Sequence, residues 1–262
     1  MINLESKVCI VTGGAASIGL EICKKLVALG AKVVIADKTQ EKGVAAQQLL
    51  GDNALYVNTD ISVDADCEKL IAKTLNAFGK IDVLINNACS YGDEGAKTSR
   101  EVWLQTLNVN AVSVAILGEL ARPHLKKSKG NIINIGSVSG VFPHIQRWAY
   151  PVSKATMLHL TKTQAVEYAQ DGIRVNMVRL GHIWSDPFEG LTGDNRQHAN
   201  KVSEPYNLMG RVADGEEVAN AVAFVASEAA SYMTGAETVV DGGYSAMGPE
   251  QHYPLMPLLM NH

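Results

Sequence analysis

Short apolar runs, rich in β-branched residues, recur along the chain at intervals that leave room for a helix between them. Between these runs, apolar residues return every three or four positions, as they do on the buried face of a helix. The runs cover residues 7–11, 32–36, 54–58, 81–85, 131–135, 174–178 and 238–241. Because strands and helices alternate, the pattern predicts right-handed βαβ units and an α/β fold whose parallel sheet is covered on both faces.

No linker interrupts the 262 residues, and we predict one domain over residues 1–243. Within it, residues 182–210 are expected to form a mobile substrate lid, since Gly190 and Gly193 lie close to Trp184 and Phe188. Residues 244–262 form an apolar, proline-punctuated tail. We expect this tail to be packed, either at an oligomer interface or on its own subunit.

The composition, with 47% hydrophobic and 19% charged residues, is that of a globular protein. A net charge of -4 gives no reason to expect a nucleic acid partner. Neither a leader pattern nor the ~20 apolar residues of a membrane helix is apparent, so we expect a cytoplasmic protein without membrane contact. The cysteines and histidines fall at no metal-ligand spacing, and neither a disulfide nor a metal is predicted.

The first apolar run leads into Thr12-Gly-Gly-Ala-Ala-Ser-Ile-Gly19, and a helical pattern follows directly. Backbone N–H groups and the positive end of a helix dipole make such a turn a seat for a pyrophosphate, provided that its side chains are small. Gly13 and Gly19 meet that need. A glycine-rich turn alone is a weak signal, but a strand before it and a helix after it favour a nucleotide site.

An acid, Asp37, ends the second run. At this point of a dinucleotide-binding fold, an acid accepts hydrogen bonds from the ribose hydroxyls and repels a 2′-phosphate. We therefore predict NAD as the cofactor, although the adjacent Lys38 leaves room for NADP. Asp60, after the third run, can accept from an adenine amino group, cap the next helix, or do both.

A phenol and an ammonium lie four residues apart at Tyr150 and Lys154, so on a helix they share one face. A nearby positive charge lowers the pKa of a tyrosine from its usual ~10. Ser137 follows the run 131–135, at the end of a strand where α/β sheets hold their ligands. The same residues also fit an ordinary interfacial pair and a turn serine. Asn110, inside an apolar helical pattern over 99–127, is either a bonded packing residue or a water holder.

With these motifs in this order, residues 7–243 resemble the classical short-chain dehydrogenase/reductase family. The segment 12–19 resembles its cofactor turn, Asn86-Asn-Ala88 its fourth-strand motif, and Val240-Asp-Gly-Gly243 its closing strand. Asn110, Ser137, Tyr150 and Lys154 resemble its catalytic tetrad. The resemblance implies a single doubly wound Rossmann-type domain with a seven-stranded parallel sheet, assembled as a homotetramer through the long helices and the last strand.

The chemistry that the resemblance implies is hydride transfer between NAD and a secondary alcohol or ketone. Tyr150 would be the general base, Ser137 would hold the substrate oxygen, and Lys154 would bind the ribose and lower the pKa of Tyr150. Asn110 would anchor a water that passes the proton to solvent. The implied cofactor contacts are Gly13, Ser17, Ile18, Gly19, Asp37, Asp60, Ile61, Asn87, Tyr150, Lys154 and Ile183.

Three residues depart from the family pattern. Ser17 replaces the middle glycine of the turn, where its hydroxyl could cap the helix or touch a phosphate while narrowing the approach to the backbone. Cys89 replaces the glycine that follows Asn-Asn-Ala, and the sequence assigns it no role. Leu180 replaces a proline and loosens a turn beside the nicotinamide.

Planar and hydrogen-bonding side chains are dense in the segments that should border the substrate. Arg147 could pair with a carboxylate, a sulfonate or a phosphate or hold sugar hydroxyls, and a surface salt bridge or an oligomer contact is its alternative role. The predicted substrate contacts are Ser137, Arg147, Tyr150, His182 and Trp184. We expect a polar cyclic or polyhydroxylated alcohol, such as a sugar, a sugar acid or a cyclic diol, with an anionic group as one option.

Two other functions remain open on the same fold, because a fold alone does not determine function. One is an NADPH-dependent carbonyl reductase, and the other is a non-catalytic NAD-binding regulatory protein. Ser17 and Cys89 favour the regulatory alternative slightly. A non-catalytic protein, however, would not need all four residues of the tetrad, so their presence favours an enzyme.

Overall fold

The computed structural model describes residues 2–248 and 259–260. Its strands are β1 (Val8–Thr12), β2 (Lys32–Asp37), β3 (Ala54–Asn58), β4 (Val83–Asn86), β5 (Asn131–Ser137), β6 (Arg174–Leu180) and β7 (Glu237–Val240). They form one seven-stranded parallel sheet in the order β3-β2-β1-β4-β5-β6-β7. The predicted α/β fold with a single doubly wound sheet is confirmed.

Helices connect the strands and cover the sheet. They are α1 (Ser17–Ala28), α2 (Gln40–Leu50), α3 (Asp64–Phe78), α4 (Arg100–Leu107), α5 (Ser113–Ser128), α6 (Ala149–Tyr168), α7 (Asp186–Thr192), α8 (Arg196–Ser203) and α9 (Gly215–Ala226). The segment predicted as a lid contains α7 and α8. Most of the tail predicted to be packed, residues 249–258, 261 and 262, lies outside the described residues.

Burial on both faces explains why the strands are apolar without interruption. All five residues of β1 are buried. Because neighbouring side chains of a strand point to opposite faces, Cys9 and Val11 join a core cluster with α1 and α9, while Ile10 joins a second cluster with Leu70 of α3 and Leu117 of α5. The sheet thus separates two apolar layers and holds the strand ends in fixed register.

The helical pattern predicted over residues 99–127 is one helical run with a defect at its centre. Between α4 and α5, residues Asn108–Val112 form a π-helical turn, a feature that is often found at functional sites. By length and composition alone, the run Arg100–Ser128 could cross a membrane, contrary to our expectation that no such stretch exists. In the fold one face of this run packs on the core, with Leu117, Ala121 and Leu125 buried.

The carboxyl ends of the parallel strands meet at one edge of the sheet. The order of the strands reverses between β1 and β4, since the chain runs from β1 outward to β3 and then returns to β4 beside β1. In open α/β sheets, a crevice at such a reversal is where ligands bind. The glycine turn after β1 and the segments after β4 and β5 all border this crevice.

Candidate active site

The glycine turn after β1 is too tight for larger residues. Gly13 has a φ of +63°, and a Cβ added to Gly19 would lie 2.0 Å from the carbonyl oxygen of Gly13. The side-chain amide of Asn87 donates to the carbonyls of Thr12 (2.9 Å) and Gly13 (3.1 Å). Asn87, expected to contact the cofactor, therefore braces the turn from the loop after β4.

Ser17 adopts a left-handed conformation, with a φ of +52°, which normally favours glycine. Its hydroxyl accepts a hydrogen bond from the backbone N–H of Asp186 (3.2 Å), the first residue of α7. The cap position of α1 belongs to Ala16, and no side chain bonds there. Of the two roles that the sequence left open for Ser17, the cap is excluded, because its hydroxyl contacts the predicted lid, and a contact with a phosphate stays a prediction.

A cleft beside the turn is lined by residues that the sequence assigns to the cofactor. Gly13, Asp37, Asp60 and Ile61 lie along it. The carboxylate of Asp37 accepts from the backbone N–H groups of Ala15 (3.3 Å) and Thr39 (2.9 Å), and so stands at the edge of the glycine turn. A cramped turn with small residues and an acid at the end of β2 fits a dinucleotide.

Asp60 faces the same cleft but caps no helix, since α3 begins at Asp64 after Val63. Its carboxylate instead accepts from both the backbone N–H (2.9 Å) and the hydroxyl (2.6 Å) of Ser62. The hydroxyl bond is the main cause that lowers the pKa of Asp60. Of the two roles predicted for Asp60, the cap is excluded and a cofactor contact stays a prediction.

A second cavity, of about 330 Å³, opens at the carboxyl end of β5. Ser137, Tyr150 and Lys154 line it together, and the predicted cofactor residues Ile18, Asn87 and Ile183 lie on its border. Cys89 lines both this cavity and the cleft beside Asp37. A ligand that extends from the cleft past Cys89 would reach the hydroxyl groups of Ser137 and Tyr150.

Lys154 and Tyr150 share one face of α6, as their spacing predicts. The ammonium of Lys154 is 5.8 Å from the centre of the Tyr150 ring and donates to the carbonyl of Ile135 (2.8 Å). Only 3% of Lys154 is exposed, so the position of its charge is fixed by the end of β5.

The pKa of Tyr150 does not follow the prediction. Burial raises the pKa of its phenol above the usual value, and the electrostatic interaction with Cys89 adds to the rise. A side-chain hydrogen bond with Ser137 and the positive charge of Arg147 act in the opposite direction. The expectation that Lys154 lowers this pKa is corrected: in this structure desolvation dominates, and Ser137 and Arg147 provide the lowering.

Asn110 lies fully buried in the π-helical turn. Its amide donates to the carbonyl of Ser90 (2.9 Å) and to the hydroxyl of Ser153 (2.9 Å), and its carbonyl oxygen accepts from the N–H of Ser90 (2.7 Å). Of the two roles left open by the sequence, the bonded packing residue describes this side chain. It joins the loop after β4 to α6.

Two residues of the loop after β4 contact Tyr150, and the second of them, Asp93, was missed by sequence reasoning. The ring of Tyr91 stacks on that of Tyr150, with ring centres 5.3 Å apart and an interplanar angle of 24°. The carboxylate of Asp93 accepts from the backbone N–H groups of Trp148 (3.0 Å) and Tyr150 (2.9 Å). The sequence carried only an indirect signal of this contact. Trp148 stands where a helix needs a capping residue, so another segment must supply the acceptor.

Basic and aromatic side chains also line the cavity. The guanidinium carbon of Arg147 lies 6.0 Å from the centre of the Tyr150 ring, and no ion pair to this side chain occurs within residues 2–248. The ring of His182 lies near those of Phe188, Tyr206 and Tyr244. Arg147 and His182 therefore line the same cavity as Ser137 and Tyr150, and their contact with a substrate stays a prediction.

His144, which lies between Ser137 and Tyr150 in the sequence, also lines the cavity. Burial lowers the pKa of both His144 and His182, and the positive charge of Arg147 adds to the effect on His144. Both imidazoles are therefore neutral at neutral pH, when each carries one donor and one acceptor. Trp184, in contrast, is absent from the cavity lining, and its ring lies 5.2 Å from the guanidinium of Arg196.

The fold and the site define a class, the nicotinamide-dependent oxidoreductases. Residues 13–245 match the family described as Enoyl-(Acyl carrier protein) reductase. L-fucose dehydrogenase of Mus musculus is 37% identical over 246 residues, which cover 91% of this chain and 88% of that protein.

Two further relatives are named for other alcohols. Cis-4-hydroxycyclohexanecarboxylate dehydrogenase of Sinomonas cyclohexanicum is 35% identical, with 92% of this chain and 97% of that protein covered. The 3-alpha-(or 20-beta)-hydroxysteroid dehydrogenase of Mycobacterium bovis is also 35% identical, with coverage of 92% and 90%. The chain belongs to the short-chain dehydrogenase/reductase family, as its motifs predict, and is an alcohol oxidoreductase.

Proposed function

We propose that the chain is an NAD-dependent dehydrogenase that oxidises a secondary hydroxyl group on a polar cyclic or polyhydroxylated substrate. The observation that carries this proposal is the convergence of Ser137, Tyr150 and Lys154 on one cavity, next to a cleft that ends at Asp37. Bound NAD would supply the hydride acceptor. The groups of the chain itself hold the alcohol and move its proton.

In this proposal the hydroxyl of Ser137 donates a hydrogen bond to the substrate oxygen, and the phenol of Tyr150 takes the proton. Since burial raises the pKa of Tyr150, the phenolate needs the help of Ser137 and of nearby positive charge. Lys154 uses one N–H on the carbonyl of Ile135, which leaves two for the ribose hydroxyls. The side chain of Asn110 is bonded within the protein, so we assign any bound water to its backbone carbonyl.

The substrate class follows from the polar side chains that line the cavity together with Tyr150. Neutral His144 and His182 are suited to hydroxyl groups, which both donate and accept. Arg147 adds a cation suited to a carboxylate. Two relatives support a hydroxylated ring as the substrate. One is named for L-fucose, which has no carboxylate, and the other for a hydroxycyclohexanecarboxylate, which has one. A sugar, a sugar acid or a cyclic diol therefore fits this cavity.

The direct experiment measures NADH formation across a panel of sugars, cyclic diols and hydroxy acids. We expect turnover with at least one ring alcohol and much less with a steroid alcohol. Activity confined to NADPH and ketones, or no turnover with any member of the panel, would refute the proposal.

The role of Arg147 has its own test. Arg147→Ala should raise KM for an anionic ring alcohol by about 10-fold to 100-fold, because a hydrogen bond to a charged group is worth ~1.5–3 kcal/mol. KM for a neutral ring alcohol should change little. An equal change for both substrates would contradict a role in anion binding.

Assembly and location belong to the same proposal. Apolar side chains are exposed along the long helices, with Leu104 at 62%, Val112 at 50% and Val166 at 81%. These faces fit a homotetramer, and light scattering from the purified protein should give the mass of four subunits, whereas the mass of one would refute it. We also propose that residues 182–210 act as the lid of the single domain and that the enzyme is cytoplasmic.

A further inference from the structure

The helix that carries Tyr150 has no capping residue of its own. Trp148 occupies the N-cap position of α6 and makes no side-chain cap hydrogen bond. The first N–H groups of a helix lack partners within it, and a buried or half-buried helix end needs an acceptor from elsewhere. Asp93 supplies it from the loop after β4: one carboxylate oxygen accepts from Trp148 (3.0 Å) and the other from Tyr150 (2.9 Å).

The same carboxylate also orders its own loop. It accepts from the backbone N–H of Gly95 (2.9 Å) and from the hydroxyl of Thr98 (3.1 Å). Gly95, with a φ of +60°, lies so close to Gln146 that an added Cβ would come within 3.0 Å of its carbonyl carbon. Asp93 therefore fixes the loop against the segment that leads into α6.

The loop is attached to the site at two further points. Ser90 exchanges backbone hydrogen bonds with the amide of Asn110 (2.7 and 2.9 Å). Tyr91, one residue later, stacks on the ring of Tyr150. Since both the backbone and the ring of Tyr150 contact this loop, a change at Asp93 would move the phenol as well as the helix end.

We infer that Asp93 is a positioning residue for Tyr150: by capping α6 through the N–H of Tyr150, it sets the place of the phenol relative to Ser137. The negative charge suits the position, because the N-terminus of a helix carries partial positive charge. The inference rests on the proposed function, since it assigns Tyr150 a role in turnover. A misplacement of a reacting group by about 1 Å can cost up to ~100-fold in rate.

The test compares Asp93→Ala and Asp93→Asn with the wild type. We expect kcat to fall by about 10-fold to 100-fold in Asp93→Ala, while KM and Kd for NAD stay within about two-fold, because the glycine turn and Asp37 are untouched. The kcat of Asp93→Asn should lie between those of the wild type and Asp93→Ala. The amide keeps one acceptor oxygen but turns an N–H₂ toward the remaining donors.

A pH profile separates positioning from loss of stability. If the phenol moves away from Ser137, which helps to lower its pKa, then the acid limb of kcat shifts to higher pH in both variants. Ser99→Ala is the matched control, because Ser99 caps α4 by accepting from the N–H of Val102 (3.3 Å). This control should lower Tm by a few degrees, about 2–4 °C, and leave kcat and its pH profile unchanged.

Either of two results would overturn the inference: wild-type kcat in Asp93→Asn, or a fall in kcat that comes with an unshifted acid limb and is matched by Ser99→Ala. If Asp93→Ala does not fold, as judged by NAD binding, Asp93→Asn decides. An inactive wild type would instead refute the proposed function, and the positioning role with it. An active wild type with unaffected variants refutes the positioning role alone.

Discussion

The choice between NAD and NADP depends on one carboxylate, and replacing Asp37 by Asn tests it. The side chain ends β2 at the edge of the cofactor cleft, fixed by the N–H groups of Ala15 and Thr39. NADP would bring a 2′-phosphate, with a charge of about -1.5 to -2, to the place where this carboxylate would otherwise accept ribose hydroxyls. Asn keeps the size of the side chain and removes the charge.

The magnitude follows from Coulomb's law. Two unit charges about 4 Å apart interact by ~4 kcal/mol at an effective dielectric of ~20. Asp37 is partly exposed and Lys38 is adjacent, so salt and the lysine reduce the repulsion, and we take roughly half, ~2 kcal/mol. Since 1.4 kcal/mol corresponds to a tenfold ratio, Asp37→Asn should narrow the preference for NAD over NADP by about 30-fold.

The assay is the ratio of kcat/KM for NAD to that for NADP, with the best alcohol of the panel. Asp52→Asn is the control, because it removes the same charge from an exposed residue that does not line the cleft. Raising the salt concentration should weaken the wild-type preference. Two results would refute this role of Asp37. One is a wild type that uses both cofactors equally, and the other is an unchanged ratio of kcat/KM for NAD to that for NADP in Asp37→Asn.

Two further predictions concern the turn after β1 and the stability of the fold. Gly19→Ala should weaken NAD binding by about 10-fold or more, because its Cβ would lie 2.0 Å from the carbonyl oxygen of Gly13 and overpacking costs ~1–3 kcal/mol; fluorescence titration measures this. Glu217→Gln should lower the free energy of unfolding at pH 7 by about 1 kcal/mol, because Glu217 pairs with both terminal nitrogens of Arg211 (2.8 Å each) at a partly exposed site.

Controls decide both of these predictions. Gly248→Ala adds a methyl group where nothing lies within 4 Å, and it should bind NAD normally; equal binding by Gly19→Ala would contradict the account of the turn.

The pKa of Glu217 is lowered to about 2 from a usual 4.5, mainly by its bond with Arg211. The contribution of Glu217 to the free energy of unfolding is therefore complete above pH 4.5 and is lost as the pH falls toward 2. A deficit of Glu217→Gln that persists at pH 2 would contradict the ion pair.

The fold was predictable because its signals are local. A strand buried on both faces must be apolar along its whole length, and β1 and β3 lie within one residue of the runs that predict them. The glycine turn and the acid at the end of β2 follow each other in sequence, so their shared cleft could be expected. The π-helical turn at Asn110 could not, because a helix defect leaves the period of apolar residues almost unchanged.

The parts of the site that were missed depend on contacts between distant segments. Asp93 and Tyr150 are 57 residues apart, and although Trp148 at the helix start indicates a missing cap, nothing in the sequence indicates that Asp93 supplies it. The bond between Ser17 and the start of α7 spans 169 residues. The pKa of Tyr150 was mispredicted for the same reason, since burial is set by the whole fold, whereas the spacing to Lys154 is visible in the sequence.

The central claim is that the phenol of Tyr150 takes the substrate proton in the cavity that it shares with Ser137 and Lys154. Tyr150→Phe removes that oxygen and keeps the ring that stacks on Tyr91. With a ring alcohol that the wild type oxidises, we predict unchanged Kd for NAD and a fall in NADH formation of about 100-fold to 10,000-fold, the usual contribution of a general base. Near-normal turnover in Tyr150→Phe would contradict the account.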